Sequence, residues 1–190
     1  MKEPVANMYF VAIVLPQRLN EKIRSYKNFM LERFACSVGL KSPAHITMIP
    51  PFWMEVEKEN GFLNAVDFLS NSFYPFSIVT NNFSAFRPRT IFIDVKPNEQ
   101  LNRIKLLTDH FFKQRPEYKT KIDNRPFHPH ITIATRDLHK KSFYDAWAFF
   151  ENGNFSEEWT AEDISVLRHN KRNWDVIHTS AFRGKPPTEV

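Results

Sequence analysis

Two short segments of the chain each place a histidine and a threonine on one face of a predicted β-strand. The first segment is His45-Ile46-Thr47-Met48, and the second, 85 positions later, is His130-Ile131-Thr132-Ile133. Successive side chains of a strand point to opposite faces, so the His and Thr of each segment share one face and the apolar residues share the other. Each segment is therefore predicted to border a wet cleft on one face and the core on the other.

A pair of histidines with accompanying threonines suits the opening of a phosphodiester. In-line attack at phosphorus needs one group that accepts a proton from the nucleophile and another that donates a proton to the leaving oxygen. Imidazole suits both tasks because its ordinary pKa of about 6.5 lies near neutral pH. A threonine hydroxyl can bind a non-bridging phosphate oxygen and stabilise the charge that develops there. This chemistry needs no metal and no cofactor, and it predicts His45 and His130 as the acid–base pair with Thr47 and Thr132 as phosphate ligands.

Other interpretations of these residues stay open on the sequence alone. Each histidine could be structural, since threonine is common in strands, although the occurrence of the motif in two matching segments favours catalysis. His128 is predicted to share a strand face with His130, so the two with a carboxylate could bind a metal, but no third ligand stands at a suitable spacing. Arg136 is a further candidate phosphate ligand, because it follows Thr132 by four positions and lies on the same face if the strand continues.

Composition limits the class of protein. A chain of 190 residues with 42% hydrophobic and 25% charged residues is typical of one soluble domain. The four glycines are widely separated, which excludes a P-loop and a dinucleotide fingerprint. The single cysteine, Cys36, excludes an internal disulfide, and the net charge of +5 suits an anionic ligand. The apolar run 8–15 is too short to span a membrane, so we expect a cytoplasmic protein. We also expect it to be a monomer.

The chain reads as two similar halves, about 8–86 and 90–182, within a single domain over 1–190. Each half reads strand, helix, His-x-Thr strand, helix, strand. The strands ended by Pro16 and Pro97 stand 81 positions apart, and so do the apolar helical stripes that begin at Phe62 and Phe143. This order predicts a duplicated, pseudo-twofold molecule with the two His-x-Thr strands facing one another across a central groove. Residues 50–51, both proline, are predicted to lie in a loop.

The two tetrads at this spacing resemble the paired motifs of the two-histidine (2H) phosphoesterase superfamily, and within it the 2'-5' RNA ligase-like group. Phe127, Pro129, Ala134 and Arg136 around the second motif add to the likeness, as does the segment 86–89 before a strand. The likeness spans roughly 9–182. Members of this superfamily hydrolyse cyclic phosphodiesters, notably RNA 2',3'-cyclic phosphates, and some reversibly join or cleave 2'-5' linkages.

The resemblance implies a bilobal α+β fold, in which duplicated strand-helix-strand-helix-strand units place antiparallel sheets around a central groove. It also implies that His45 and His130 are the catalytic pair, that Thr47 and Thr132 bind phosphate, and that the substrate is a nucleotide or an RNA end. Met48 and residues 50–53 depart from the segment expected after the first motif in the best-known RNA-end enzymes. Two alternatives stay open. One is a phosphoesterase that acts on a small non-nucleotide cyclic phosphate, and the other is a non-catalytic module that binds RNA ends or nucleotides.

Overall fold

An antiparallel eight-stranded sheet carries both His-x-Thr segments. In the computed structural model, which describes residues 5–123 and 125–186, the strands are β1 (Ala6–Val14), β2 (His45–Glu55), β3 (Phe76–Phe86), β4 (Thr90–Val95), β5 (His130–Ala134), β6 (Glu158–Ala161), β7 (Asp163–His169) and β8 (Trp174–Ala181). Their order in the sheet is β6-β3-β4-β5-β2-β1-β7-β8, and every neighbouring pair is antiparallel. The two motif strands, β2 and β5, are central neighbours.

Four α-helices in the described part of the chain cover the apolar side of this sheet: α1 (Gln17–Phe34), α2 (Glu59–Ser70), α3 (Glu99–Lys113) and α4 (Lys140–Trp147). The predicted helical stripes are buried, as shown by Leu19, Ile23 and Met30 of α1. Helix α1 packs against β5 and helix α3 packs against β2, so each helix crosses to the strand of the other predicted half. None of the described helices is long and apolar enough to cross a membrane.

Strand pairing also mixes the two predicted halves. Strand β3, the last strand of the first half, pairs with β4, whereas β7 pairs with β1. The sheet therefore consists of two four-stranded groups, β6-β3-β4-β5 and β2-β1-β7-β8, that meet where β2 pairs with β5. The prediction of an α+β fold with antiparallel strands around a central groove is confirmed. The two motif strands were predicted to face one another across the groove. They pair directly instead, and the groove lies along their junction.

The prediction of a loop at Pro50 and Pro51 was wrong. Strand β2 continues through both prolines to Glu55. Tyr9 of β1 pairs with Phe52 and Val11 pairs with Ile49, so two β2 residues face the single Phe10 in a bulge. A bulge leaves residues unpaired in the ladder, which lets proline sit within a strand despite its missing N–H.

Two further boundaries differ from the prediction. Strand β5 begins at His130 and ends at Ala134, so His128 and Arg136 lie outside it. Arg136 has a φ of 29°, which turns the chain away from the strand direction. Strand β6 was not predicted; it is four residues long and lies at the edge of the sheet beside β3. So short a segment carries too few alternations to be recognised from sequence.

Candidate active site

The junction of β2 and β5 brings the two His-x-Thr motifs together. Ile46 pairs with Ile131, and both side chains are buried in the core. In an antiparallel pair this register sets the residue before one isoleucine opposite the residue after the other. His45 is therefore opposite Thr132, and Thr47 is opposite His130. All four side chains are half-buried and lie on the face away from the two isoleucines. Each histidine thus neighbours the threonine of the other motif.

The two imidazoles are held in the same way. Nδ1 of His45 lies 2.7 Å from the carbonyl oxygen of Pro43, and Nδ1 of His130 lies 2.7 Å from the carbonyl oxygen of His128. A carbonyl oxygen only accepts, so Nδ1 must be the donor in both rings. In the neutral state Nε2 then carries the lone pair, and in the charged state it carries the transferable proton. Both rings thus keep Nε2 free for proton transfer.

Each imidazole also rests on a phenylalanine from the neighbouring strand. The ring centroid of Phe10 on β1 lies 4.7 Å from that of His45, and the ring centroid of Phe92 on β4 lies 5.0 Å from that of His130. Trp174 packs against Phe10 with 4.7 Å between the ring centroids, and Phe86 packs against Phe92 with 4.4 Å between them. The apolar rings restrict the imidazole orientation and exclude water from one side of it.

Burial lowers the pKa of both imidazoles. The pKa of His45 falls to about 4, chiefly because burial disfavours the charged ring. The hydrogen bond to the Pro43 carbonyl raises this pKa, whereas the charges of Lys27 and His130 lower it further. The pKa of His130 is also lowered by burial, and there the nearby Asp94 carboxylate opposes the shift. The two sides of the site therefore differ in charge, with a lysine near His45 and a carboxylate near His130.

The lowered pKa values predict a pH optimum of kcat/KM on the acid side of neutrality. Acid–base catalysis by two histidines needs one neutral and one protonated ring, a state populated between their two pKa values. Both values lie below the ordinary 6.5, and that of His45 is about 4. We expect kcat/KM of the free protein to be highest between about pH 4 and 6.5 and to fall above it, as the second ring loses its proton. Steady-state rates from pH 4 to 9 would check this, and a value that rises steadily to pH 9 would contradict it.

Two cavities meet over the four motif side chains. One, of about 400 Å³, is lined by residues that include His45, Thr47, Thr132 and Arg136. The other, of about 410 Å³, is lined by residues that include Thr47, His128 and His130. Thr47 and Pro51 belong to both linings, so the cavities form one groove that passes both histidines. Arg136 thus reaches the groove even though it lies beyond the end of β5.

His128 and Asp94 form a pair at the His130 end of the groove. Nε2 of His128 lies 3.0 Å from Oδ1 of Asp94, and Asp94 pairs with His130 in the sheet. Within residues 5–123 and 125–186, no group of three or more histidine, cysteine, aspartate or glutamate side chains is arranged to hold a metal. The His128 side chain thus contacts a carboxylate and the rings of Phe86 and Phe92, and its backbone carbonyl orients His130.

Two residues that position the site were missed in the sequence. The side chain of Asn20 on α1 donates to the carbonyl of Leu15 and accepts from the N–H of Ala44, both at 2.5 Å, which holds the start of β2. The Asp137 carboxylate accepts from the backbone N–H groups of Ser37 at 2.6 Å and Val38 at 2.9 Å. The one sequence signal that could have indicated this role of Asn20 is its position next to the buried stripe of α1. Asp137 joins segments about a hundred positions apart, and no local pattern indicates such a contact.

In sequence, this chain is similar to one family and to a curated relative. The model of the 2'-5' RNA ligase superfamily matches residues 15–173. A Geobacillus kaustophilus (strain HTA426) protein named "Putative phosphoesterase GK0864" is 26% identical over 181 residues, which cover 93% of this chain and 97% of that protein.

In structure, the chain is similar to proteins from two further bacteria. TT0787 of Thermus thermophilus matches with a TM-score of 0.67 at 17% identity, over 94% of this chain and all of the other. E. coli LigT in apo form matches with a TM-score of 0.60 at 17% identity, over 93% and 97% of the two chains. LigT complexed with 3'-AMP matches with a TM-score of 0.59 at 18% identity, over 94% and 99%. At these identities the likeness concerns the fold.

Proposed function

The chain belongs to the 2'-5' RNA ligase superfamily, and on that premise we propose that it is a metal-independent phosphoesterase that hydrolyses a cyclic phosphodiester or cleaves and joins a 2'-5' phosphodiester. The observation that carries the proposal is the antiparallel pairing of Ile46 with Ile131, which puts two His-x-Thr motifs on one face of the sheet. The substrate class is a nucleotide or an RNA end. LigT, which has a similar fold, is complexed with 3'-AMP in one of its structures, and this supports a nucleotide ligand.

In this mechanism the phosphate lies over the junction of β2 and β5. The hydroxyls of Thr47 and Thr132 donate to its non-bridging oxygens, and Arg136 at the groove wall offsets its negative charge. One imidazole accepts the proton of the attacking water through Nε2, while the other donates a proton from Nε2 to the departing ribose oxygen. The ligase direction is the same chemistry reversed, with a ribose hydroxyl as the nucleophile. The phosphate charge raises both imidazole pKa values when it binds, which makes the protonated ring available nearer neutral pH.

Removal of either threonine hydroxyl is expected to slow the reaction with little effect on folding. Thr47→Val and Thr132→Val keep the branched shape, and both residues line the groove. We expect each substitution to lower kcat/KM by roughly 10²-fold, the usual cost of losing one donor to a developing negative charge. Kinetics on 2',3'-cyclic AMP and thermal unfolding would be measured together. Thr160→Val on the exposed edge strand β6 is the matched control and should change neither; motif variants with wild-type kinetics would refute the phosphate-binding role.

The phosphodiester that this site opens is identified by a comparison of substrates. Wild-type protein in EDTA would be incubated with 2',3'-cyclic AMP, with a 2'-5'-linked diadenosine monophosphate and with its 3'-5'-linked isomer, and phosphorus NMR would follow the products. We expect turnover of the cyclic phosphate, the 2'-5' linkage or both, and none of the 3'-5' isomer. Turnover of the 3'-5' isomer alone would contradict the proposed substrate class. Competition by RNA oligomers would distinguish an RNA end from a small non-nucleotide cyclic phosphate.

A further inference from the structure

Lys27 is a buried cation that the proposed chemistry does not use. It lies on the inner side of α1 and is only 4% exposed, although lysine is almost never fully buried without a partner charge. Among the described residues, its Nζ has one hydrogen-bond acceptor, the carbonyl oxygen of Ser42 at 3.1 Å. An ammonium group has three donors, so two of them have no acceptor within residues 5–123 and 125–186. Burial and, to a lesser extent, the charge of Arg24 lower the pKa of Lys27 to about 8, as expected for a buried cation near a like charge.

Lys27 lines a cavity of about 500 Å³ between α1 and the segment that precedes β2. Two exposed cations, Arg24 and Lys41, line the rim of the same cavity. The cavity also contains one carboxylate, Glu21, which accepts a hydrogen bond from the Gln17 side chain at 2.9 Å. Three cations and one carboxylate leave an excess of positive charge around a buried ammonium group, and this combination suits an anion.

This cavity adjoins the groove of the active site. Lys41, Ser42 and Trp174 line both the 500 Å³ cavity and the cavity that contains His45. The charge of Lys27 also contributes to the lowered pKa of His45, so the two groups are near enough to interact. A substrate whose reacting phosphate lies beside His45 can therefore extend into the lysine-lined cavity.

We propose that Lys27, with Arg24 and Lys41 at the rim, forms a second anion subsite that binds another phosphate of the same substrate. The subsite rests on the proposed function, because it assumes a nucleotide phosphate at the two histidines. It specifies the substrate class further: the protein prefers a nucleotide that carries a second phosphate, as within an RNA strand or a 5'-phosphorylated nucleotide, over a nucleoside monophosphate.

A purely structural role of Lys27 makes a different prediction. The Nζ bond to the Ser42 carbonyl also holds the segment that leads into β2, so its loss would weaken the whole site. In that case Lys27→Met would lower the thermal stability and would reduce the affinity for every nucleotide by the same factor. An anion subsite instead makes the loss depend on the second phosphate.

The test compares two ligands that differ by one phosphate and that need no turnover. Adenosine 3'-monophosphate and adenosine 3',5'-bisphosphate would be titrated calorimetrically into wild type, Lys27→Met, Lys41→Met and Lys113→Met. We expect the wild type to bind the bisphosphate about tenfold more tightly, which is typical of one charge-assisted contact. Lys27→Met should reduce this ratio to near one and Lys41→Met should reduce it in part. Lys113→Met, an exposed residue at the end of α3 outside these cavities, should preserve it.

Each outcome decides the proposal. Equal affinities for the two ligands in the wild type, or a ratio that Lys27→Met and Lys41→Met both leave unchanged, would overturn it, as would failure of both ligands to bind. Lys41 is exposed, so its variant gives the answer even if Lys27→Met does not fold. If the wild type prefers the bisphosphate but does not hydrolyse cyclic nucleotides, the proposed catalysis is refuted and the subsite stands. Hydrolysis with no preference for the second phosphate would do the reverse.

Discussion

His45→Ala and His130→Ala are each expected to lower kcat/KM for 2',3'-cyclic AMP by about 10³-fold, within the range that general acid–base groups contribute. Each substitution removes one of the two Nε2 atoms that face the groove, and the other imidazole cannot both accept and donate the proton in one step. Both rings are held through Nδ1 by a backbone carbonyl at 2.7 Å, so the remaining ring cannot turn to take the place of the one removed. Steady-state kinetics in the presence of EDTA would measure the loss.

The same variants distinguish an enzyme from a binding module. In an enzyme, His130→Ala should bind 3'-AMP within about tenfold of wild type while its rate falls by orders of magnitude. In a module that only binds nucleotides, there is no rate to lose and affinity alone changes. His110→Ala is the matched control, because His110 is exposed on α3 and its ring contacts Gln114 outside the groove. If His110→Ala lost as much activity as the motif variants, the assignment of the catalytic pair would be wrong.

Gly39→Ala is expected to destabilise the protein by roughly 2–4 kcal/mol, which corresponds to a fall of about 10 °C in Tm for a domain of this size. Gly39 lies in the 3-10 turn Val38–Lys41, which faces β5. A Cβ at this position would lie 2.1 Å from the carbonyl oxygen of Ile133, far inside contact distance, so the turn or β5 must move. Gly39 also lines the cavity that contains Thr132, and we therefore expect kcat/KM to fall as well.

Gly61→Ala is the matched control for this experiment. Gly61 lies within α2, and a Cβ there would come no closer than 3.2 Å to the hydroxyl at the end of the Tyr118 side chain, which needs to shift by only a few tenths of an ångström. Alanine favours the helix by about 1 kcal/mol over glycine, so Tm should stay unchanged or rise slightly. Differential scanning calorimetry would compare the two variants. Equal Tm values for Gly39→Ala and wild type would show that the turn does not pack against β5 as described.

The motif strands could be predicted from the sequence because their signal is local. Alternation places His45 and Thr47 on one face and Ile46 on the other, whatever the rest of the chain does. The repeated order of elements could be predicted for the same reason, since apolar stripes such as that of α1 depend on spacing within one helix.

The features that were missed depend on contacts between distant segments. The continuation of β2 through Pro50 and Pro51 requires a bulge opposite Phe10, which only the pairing with β1 creates. Strand β5 ends at Ala134 because Arg136 turns the chain, and Asp137 then binds the turn near Val38. The cation Lys27 falls on the buried stripe of α1, where hydrophobic spacing alone does not distinguish it from an exposed lysine.

Hydrolysis of 2',3'-cyclic AMP by the wild-type protein in excess EDTA tests the central claim most directly. The two-histidine mechanism predicts turnover that EDTA leaves unchanged, with a bell-shaped dependence of kcat/KM on pH that lies on the acid side of neutrality. Activity that EDTA abolishes and added divalent metal restores would contradict the mechanism, because the two imidazoles would then be insufficient for the chemistry.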